Sequence, residues 1–194
     1  MLFRSLDCMA GIYHENQLHL NQYNVNLSLL TQTTDALATN VAVDRIKAFV
    51  HGELASTVFF GPEESDLVEM FTVMGVNVTT LPEEPIDQIV GIMLYCKLNA
   101  IMEGRVLITN LDIQSYLGDS VWYMHGDDDA VGPFAKDGWW HEANCKHHNT
   151  EQPQDDNVVK VNSAGWSEYN LNWPDLPQSS GNTVVVADFQ RNEN

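Results

Sequence analysis

Apolar side chains recur with period two between Gln17 and Gln32, at Leu18, Leu20, Tyr23, Val25, Leu27 and Leu29. This pattern predicts one long strand, or a hairpin turning at the Asn-containing residues 21–24. Asn40 then suits the N-cap of a helix carrying Val43, Ile46, Phe49, Val50 and Leu54 at helical spacing. Ser56–Phe60 reads as a short strand. Gly61-Pro62 opens a second helix, with Glu63, Glu64 and Asp66 in its first turn, where the helix dipole favours anions. Its expected buried stripe is Leu67, Met70 or Phe71, and Met74, and Gly75 ends it. Val76–Thr80 reads as another strand. Ile86–Glu103 is the strongest helix, apolar on most of its circumference and stopped by Gly104, and such a helix belongs at the centre of a domain. Arg105–Ile113 and Ser120–Met124 read as strands, with a turn at Leu117-Gly118-Asp119.

The element order predicts an α+β fold, an antiparallel or mixed sheet packed on about three helices. After Gly126 the periodicity fails. Residues 1–125 are therefore expected to form the core domain and residues 126–194 an acidic, irregular appendage. Val158–Val161 and Thr183–Phe189 are its only candidate strands. Trp139, Trp140, Trp166, Tyr169 and Trp173 argue that the appendage is held against something, because such side chains normally need burial.

Charge sharpens this picture. The 194 residues carry 9 Lys+Arg against 27 Asp+Glu, a net charge of −18. A broad basic face for nucleic acid is excluded, and so is docking on anionic lipid. Residues 1–115 hold 14 acids and 5 bases, while the shorter stretch 116–194 holds 13 acids and 4 bases. The appendage is thus as anionic as the much longer core. Cys8, Cys96 and Cys145 are too few and too scattered for a disulfide framework, which suggests a reducing compartment. Met1–Asp7 meets a charge before any long apolar run and does not read as a secretory signal. Ile86–Met102 is too short and too polar to span a bilayer. A cytoplasmic protein is expected.

Complete catalytic motifs are absent: there is no GxxxxGK[ST], no GxGxxG and no Gly-x-Ser-x-Gly. In Trp139–His148 an HExxH-like string begins at His141-Glu142, but Cys145 stands where the second His belongs. A structural zinc held by His141, Cys145 and His147 or His148 is chemically reasonable, with no fourth ligand evident. The ordinary reading is a polar loop with no cofactor. Asp127-Asp128-Asp129 lacks the alternation, central Gly and terminal Glu of a calcium loop and reads as a solvated acidic turn. With Trp139 and Trp140 it is the candidate interaction surface. Glu83, Glu84 and Asp87 cluster at the start of the central helix, between and beside Pro82 and Pro85. Carboxylates there commonly serve as dipole partners.

Pro82–Ile89, followed by a long apolar helix and two strands, resembles the second half of the tunnelling fold. That fold is shared by the pterin- and deazapurine-synthesising enzymes and GTP cyclohydrolase I. The resemblance covers residues 17–125 and rests on element order. It implies that Glu84, or Glu83, anchors the guanine-like edge of a substrate. Gln88-Ile89 would match a polar–apolar pair of the cyclohydrolases, and the site would form between subunits of a ring-like homo-oligomer. The pterin synthases bind zinc through three His, two of them in a His-x-His pair. Here His14 and His19 stand five apart, and the Cys/His zinc set of the cyclohydrolases is missing too. In its acidic, Asn-rich character and Trp-studded tail the chain also resembles uncharacterised phage proteins.

The leading expectation is a non-enzymatic acidic interaction protein, phage-encoded, in the host cytoplasm. Its partner would be a basic protein such as a nucleic-acid-binding one, towards which the carboxylates mimic phosphates as a DNA mimic does. One alternative is a tunnelling-fold enzyme or binding protein for a purine or pterin, with Glu83, Glu84 and Gln88 at the ligand. A virion structural component is the other.

Overall fold

The computed structural model describes residues 2–119, 121–145 and 165–173. The element order is β1 (Leu2–His14), β2 (Gln17–Thr31), α1 (Ala36–Ala48), a π-helical turn (Phe49–Leu54), β3 (Val58–Phe60), α2 (Ser65–Val73), β4 (Val78–Thr80), α3 (Asp87–Met102), β5 (Val106–Ser115) and β6 (Tyr123–Gly126). Two short 3-10 turns follow, Gly132–Ala135 and Trp139–His141. The fold is α+β, with one six-stranded mixed sheet in the order β4-β3-β1-β2-β5-β6.

β1 and β2 pair antiparallel along their whole length, from Leu2↔Leu29 to His14↔Gln17. The turn is Glu15-Asn16, both at positive φ (51° and 61°), as a two-residue hairpin that matches strand twist requires. The hairpin therefore turns there, and Asn21–Asn24 lie inside β2. β1 escapes a sequence reading because its inward residues, Leu6, Cys8, Ala10 and Ile12, include small ones that blur the alternation. α1 starts earlier than Asn40 suggests: the Asp35 carboxylate accepts from the Leu37 amide at 2.9 Å and caps it. α2 starts later, at Ser65, because Pro62–Glu64 form the turn that leads into it.

α1 and α3 pack on one face of the sheet. Ala42, Val43 and Ile46 of α1 and Ile89 to Met102 of α3 meet Tyr23, Val25, Leu27, Leu111 and Ile113 in one buried cluster. On the opposite face the β2–β5 part, with Asn24, Asn26, Asn110, Asp112 and Gln114, is polar and, among the described residues, uncovered by a helix, whereas α2 packs on its β3–β4 part. α3 is apolar all round because its far side is covered as well. Phe134, Trp139, Cys145 and Trp166 belong to the same buried cluster. The described part of the C-terminal region is thus a third layer on the core.

α2 packs at the sheet edge. Leu67, Val68 and Phe71 meet Val58, Phe60 and Val78 in a small second cluster. Met70 and Met74, expected in the buried stripe, are 47% and 68% exposed. Gly75 (φ 77°) follows the helix, as its sequence position suggests. Among the described residues no helix is long and apolar enough to cross a membrane. Val158–Val161 and Thr183–Phe189 lie outside the described residues.

Gly91 sets the distance between α3 and the sheet. A Cβ there would lie 2.9 Å from Ile113 Cγ2 and 3.1 Å from Tyr123 Cδ1. A glycine costs an exposed helix interior about 1 kcal/mol relative to Ala, and here it permits the close approach. Gly91→Val is expected to lower the unfolding free energy by about 2–3 kcal/mol through overpacking. The measurement is the urea midpoint at unchanged m-value. A wild-type midpoint would mean that α3 can ride further from β5 and β6 at no cost.

Candidate functional site

β1, β3 and β4 lie side by side and run parallel, with Gly11↔Val58 and Phe60↔Thr80 in register. The chain therefore leaves all three strands at one end of the sheet. Crevices outside the carboxyl ends of parallel strands are the usual place for ligands, because loops from several strands converge there. The β1–β2 turn, the β3–α2 turn and the segment after β4 do so here. They enclose a cleft of about 320 Å³, lined by Tyr13, His14, Glu15, Gly61 to Glu64, Glu84 and Pro85.

The wall is acidic and part of it is aromatic. Glu15, Glu63, Glu64 and Glu84 line the cleft, and His14 is the one basic side chain there. His14 Nδ1 lies 2.7 Å from Glu84 Oε1, and Nε2 lies 3.9 Å from Glu15 Oε1. The Glu84 side chain is 63% exposed, so solvent screens this pair strongly. The Tyr13 ring stacks on Phe60 at 5.3 Å, and Phe60 meets Phe71 edge-on at 5.4 Å. An aromatic ring beside several carboxylates is suited to holding an organic cation. None of the lining side chains is a Ser, Thr, Cys or Lys nucleophile.

Of the residues singled out from sequence, Glu84 lines this cleft. Glu83 is exposed beside it, and Gln88 is exposed on the first turn of α3, in hydrogen-bond contact with Tyr123. Asp87 points elsewhere. Its Oδ1 accepts from Ser115 Oγ at 2.7 Å, and Ser115 Oγ in turn accepts from the Gly118 amide. Asn21 Oδ1 accepts from the Leu117 amide at 3.1 Å. These buried groups clasp the β5–β6 turn, and burial raises the Asp87 carboxyl above its ordinary range.

Asp127, Asp128 and Asp129 are exposed at the end of β6, where the Asp129 carboxylate accepts from the Gly126 amide at 2.8 Å. Trp139, expected on an interaction surface, is 8% exposed and packed in the core. Trp140 is half-buried, and its Nε1 donates to the Phe134 and Lys136 carbonyls. These rings are held inward because they cover the far side of α3. His141 Nε2 lies 2.6 Å from the Phe134 carbonyl oxygen, and Cys145 is buried. His147 and His148 lie outside the described residues. Among the described residues, no group of three or more His, Cys, Asp or Glu side chains is placed to hold a metal.

Sequence reasoning gave Glu63 and Glu64 only a dipole role and passed over His14 and Glu15 as site residues. No local signal marks them, because parallel pairing of distant strands is what brings them together. It also missed the buried cations. Lys97 in α3 donates to the Trp139 carbonyl at 3.0 Å and the Glu142 carbonyl at 2.9 Å. Arg45 in α1 donates to the Ile101 and Leu171 carbonyls and pairs with Glu103 at 2.8 Å. Lys97 was findable: it is the lone cation in the apolar run Ile89–Met102.

No protein-family model matches the chain, and no curated protein sequence does. Among solved structures it is similar to an uncharacterised protein of Wolinella succinogenes, at 12% identity and a TM-score of 0.49, over 66% of this chain and 97% of that one. It is also similar to a catalytic-residue mutant of 6-pyruvoyltetrahydropterin synthase from Plasmodium vivax, at 9% identity and a TM-score of 0.39, over 64% of this chain and 98% of that one. Both are weak likenesses of fold.

Proposed function

We propose that this protein binds a basic protein partner and that the cleft beyond β1, β3 and β4 receives a lysine or arginine side chain of it. One observation carries this reading: Glu15, Glu63, Glu64 and Glu84, from three separate chain segments, converge on one cleft with the Tyr13 ring. The distribution of cations supports it. Among the described residues Arg45 and Lys97 are buried and Arg105 is stacked on Trp173. That leaves Arg4, Lys47 and Lys136 exposed, and Lys47 is paired with Asp44 at 3.0 Å. Among the described residues, exposed carboxylates therefore far outnumber exposed cations, a balance that steers an oppositely charged partner. A nucleic-acid-binding protein in the host cytoplasm of a phage is a partner class of the right sign, with carboxylates standing in for phosphates.

The test is fluorescence anisotropy with a labelled Lys/Arg-rich peptide at low and at physiological salt. Wild type is expected to bind, with affinity falling as salt rises. Glu64→Gln/Glu84→Gln is expected to bind at least tenfold more weakly with its melting temperature little changed, since Glu84 is exposed and Glu64 only half-buried. Equal affinity of the two proteins would rule out the cleft as the binding site.

A further inference from the structure

We infer that α2 is a docking face for a basic amphipathic helix of another protein. The inference rests on the proposed basic partner and specifies its shape. α2 has an apolar composition but no buried residue. Leu67, Val68 and Phe71 supply its packing on β3 and β4. Beside that stripe Met70 (47% exposed), Val73 (83%) and Met74 (68%) stand at positions i, i+3 and i+4, a spacing that places them on one stretch of helix surface. Val73 and Met74, mostly in water, add little burial to this fold. Unbranched, polarisable methionines are the side chains that adapt to varied apolar partners.

The charge around this cluster specifies the occupant. Asp66 and Glu69 are exposed on the same helix, and Glu63 and Glu64 precede it at the rim of the cleft. Between His51 and Lys97 the chain contains no basic residue at all. An apolar strip bordered by Glu63, Glu64, Asp66 and Glu69 complements a helix with one apolar face flanked by Lys or Arg. At about 1.5 Å per residue, nine-residue α2 spans roughly 13 Å, which matches two to three turns of such a helix. A second copy of this chain fits less well, because two acidic borders would then face each other.

Two labelled peptides of identical Lys/Leu composition distinguish this inference from the broader reading. One places Leu at i, i+3, i+4 and i+7; the other is shuffled so that no apolar face forms. Anisotropy is read on wild type and on Val73→Ser/Met74→Ser, whose exposed positions leave the fold intact, as circular dichroism checks. Wild type is expected to bind the amphipathic peptide at least tenfold more tightly than the shuffled one. In the variant that preference is expected to fall to near one while binding of the shuffled peptide is unchanged. A preference that persists in the variant, or one missing from wild type that still binds both peptides, overturns the inference and leaves the cleft reading standing. Failure of wild type to bind either peptide overturns both. Concentration-dependent dimerisation by light scattering, lost in the variant, would assign the face to a second copy and overturn the inference.

Discussion

Arg45→Met is expected to lower the unfolding free energy by about 3–5 kcal/mol and to loosen residues 165–173 from the core. Arg45 is 3% exposed, and one guanidinium performs several jobs at once. Its Nη1 donates to the Ile101 carbonyl at 3.0 Å, near the C-terminus of α3, where carbonyls lack helical partners. The same nitrogen pairs with Glu103, and Nε donates to the Leu171 carbonyl at 2.9 Å. The group lies 3.9 Å from the Trp173 ring centroid and 4.9 Å from that of Trp166, and Arg105 covers Trp173 at 3.6 Å. Trp173 Nε1 also donates to Glu103. Methionine keeps much of the volume but supplies no donor, so buried carbonyls are left unpaired, each costing about 1–3 kcal/mol. Hydrogen exchange across residues 165–173 is the direct readout and should accelerate in the variant. Arg45→Lys should fall between, because a point charge cannot reproduce the planar fork. Wild-type exchange in Arg45→Met would show that Trp166 and Leu171 hold this segment by apolar contact alone.

Lys97→Ala is expected to cost about 3–4 kcal/mol, since it leaves two carbonyls without a donor and opens a cavity under Trp139. Lys97→Met fills the space and should cost less. The ammonium also creates a pH dependence with a definite sign. Burial pushes its pKa down from 10.5 to about 8, against the carboxylates of Glu142 and Glu53. Between those two values the unfolded chain binds more protons than the folded one, so stability from this group rises with pH. Below pH 8 the full cost of burying the charge is present, and it is relieved as pH climbs through 8 towards 10.5. Each pH unit in that window is worth about 1.4 kcal/mol. Cys8 and Cys96, raised to about 11 by burial, act in the opposite direction above pH 9. The measurement is therefore the difference between wild type and Lys97→Met in urea unfolding at pH 7 and pH 9. The gap should move in favour of wild type by about 1 kcal/mol, and a pH-independent gap would show that Lys97 stays charged throughout.

Lys97 also shows how far the sequence could be read. A lone cation in a helix that is apolar all round has to be buried and satisfied, and that much was visible. Its partners were not, since they are main-chain carbonyls 42 and 45 residues further on. The tryptophans were correctly expected to need burial, but Trp139 proved to be a cover over α3 rather than a surface for others. α2 erred the other way. Its helical periodicity is real, yet which stripe faces inward depends on β3 and β4, and the structure buries Leu67, Val68 and Phe71 more than Met70 and Met74.

The sequence alone determined the order of the elements from β2 to β6, the central place of α3, the α+β class and the sign of the net charge. These follow from local periodicity, from helix-stopping glycines and from counting, none of which needs to know what lies across the sheet. Only the tertiary structure decided the cleft. Residues 13–15, 61–64 and 84–85 meet because β1, β3 and β4 run parallel, and parallel pairing leaves no mark at short range in the chain. It likewise decided that Arg45 and Lys97 turn inward, which leaves Arg4, Lys47 and Lys136 as the exposed Lys and Arg side chains among the described residues.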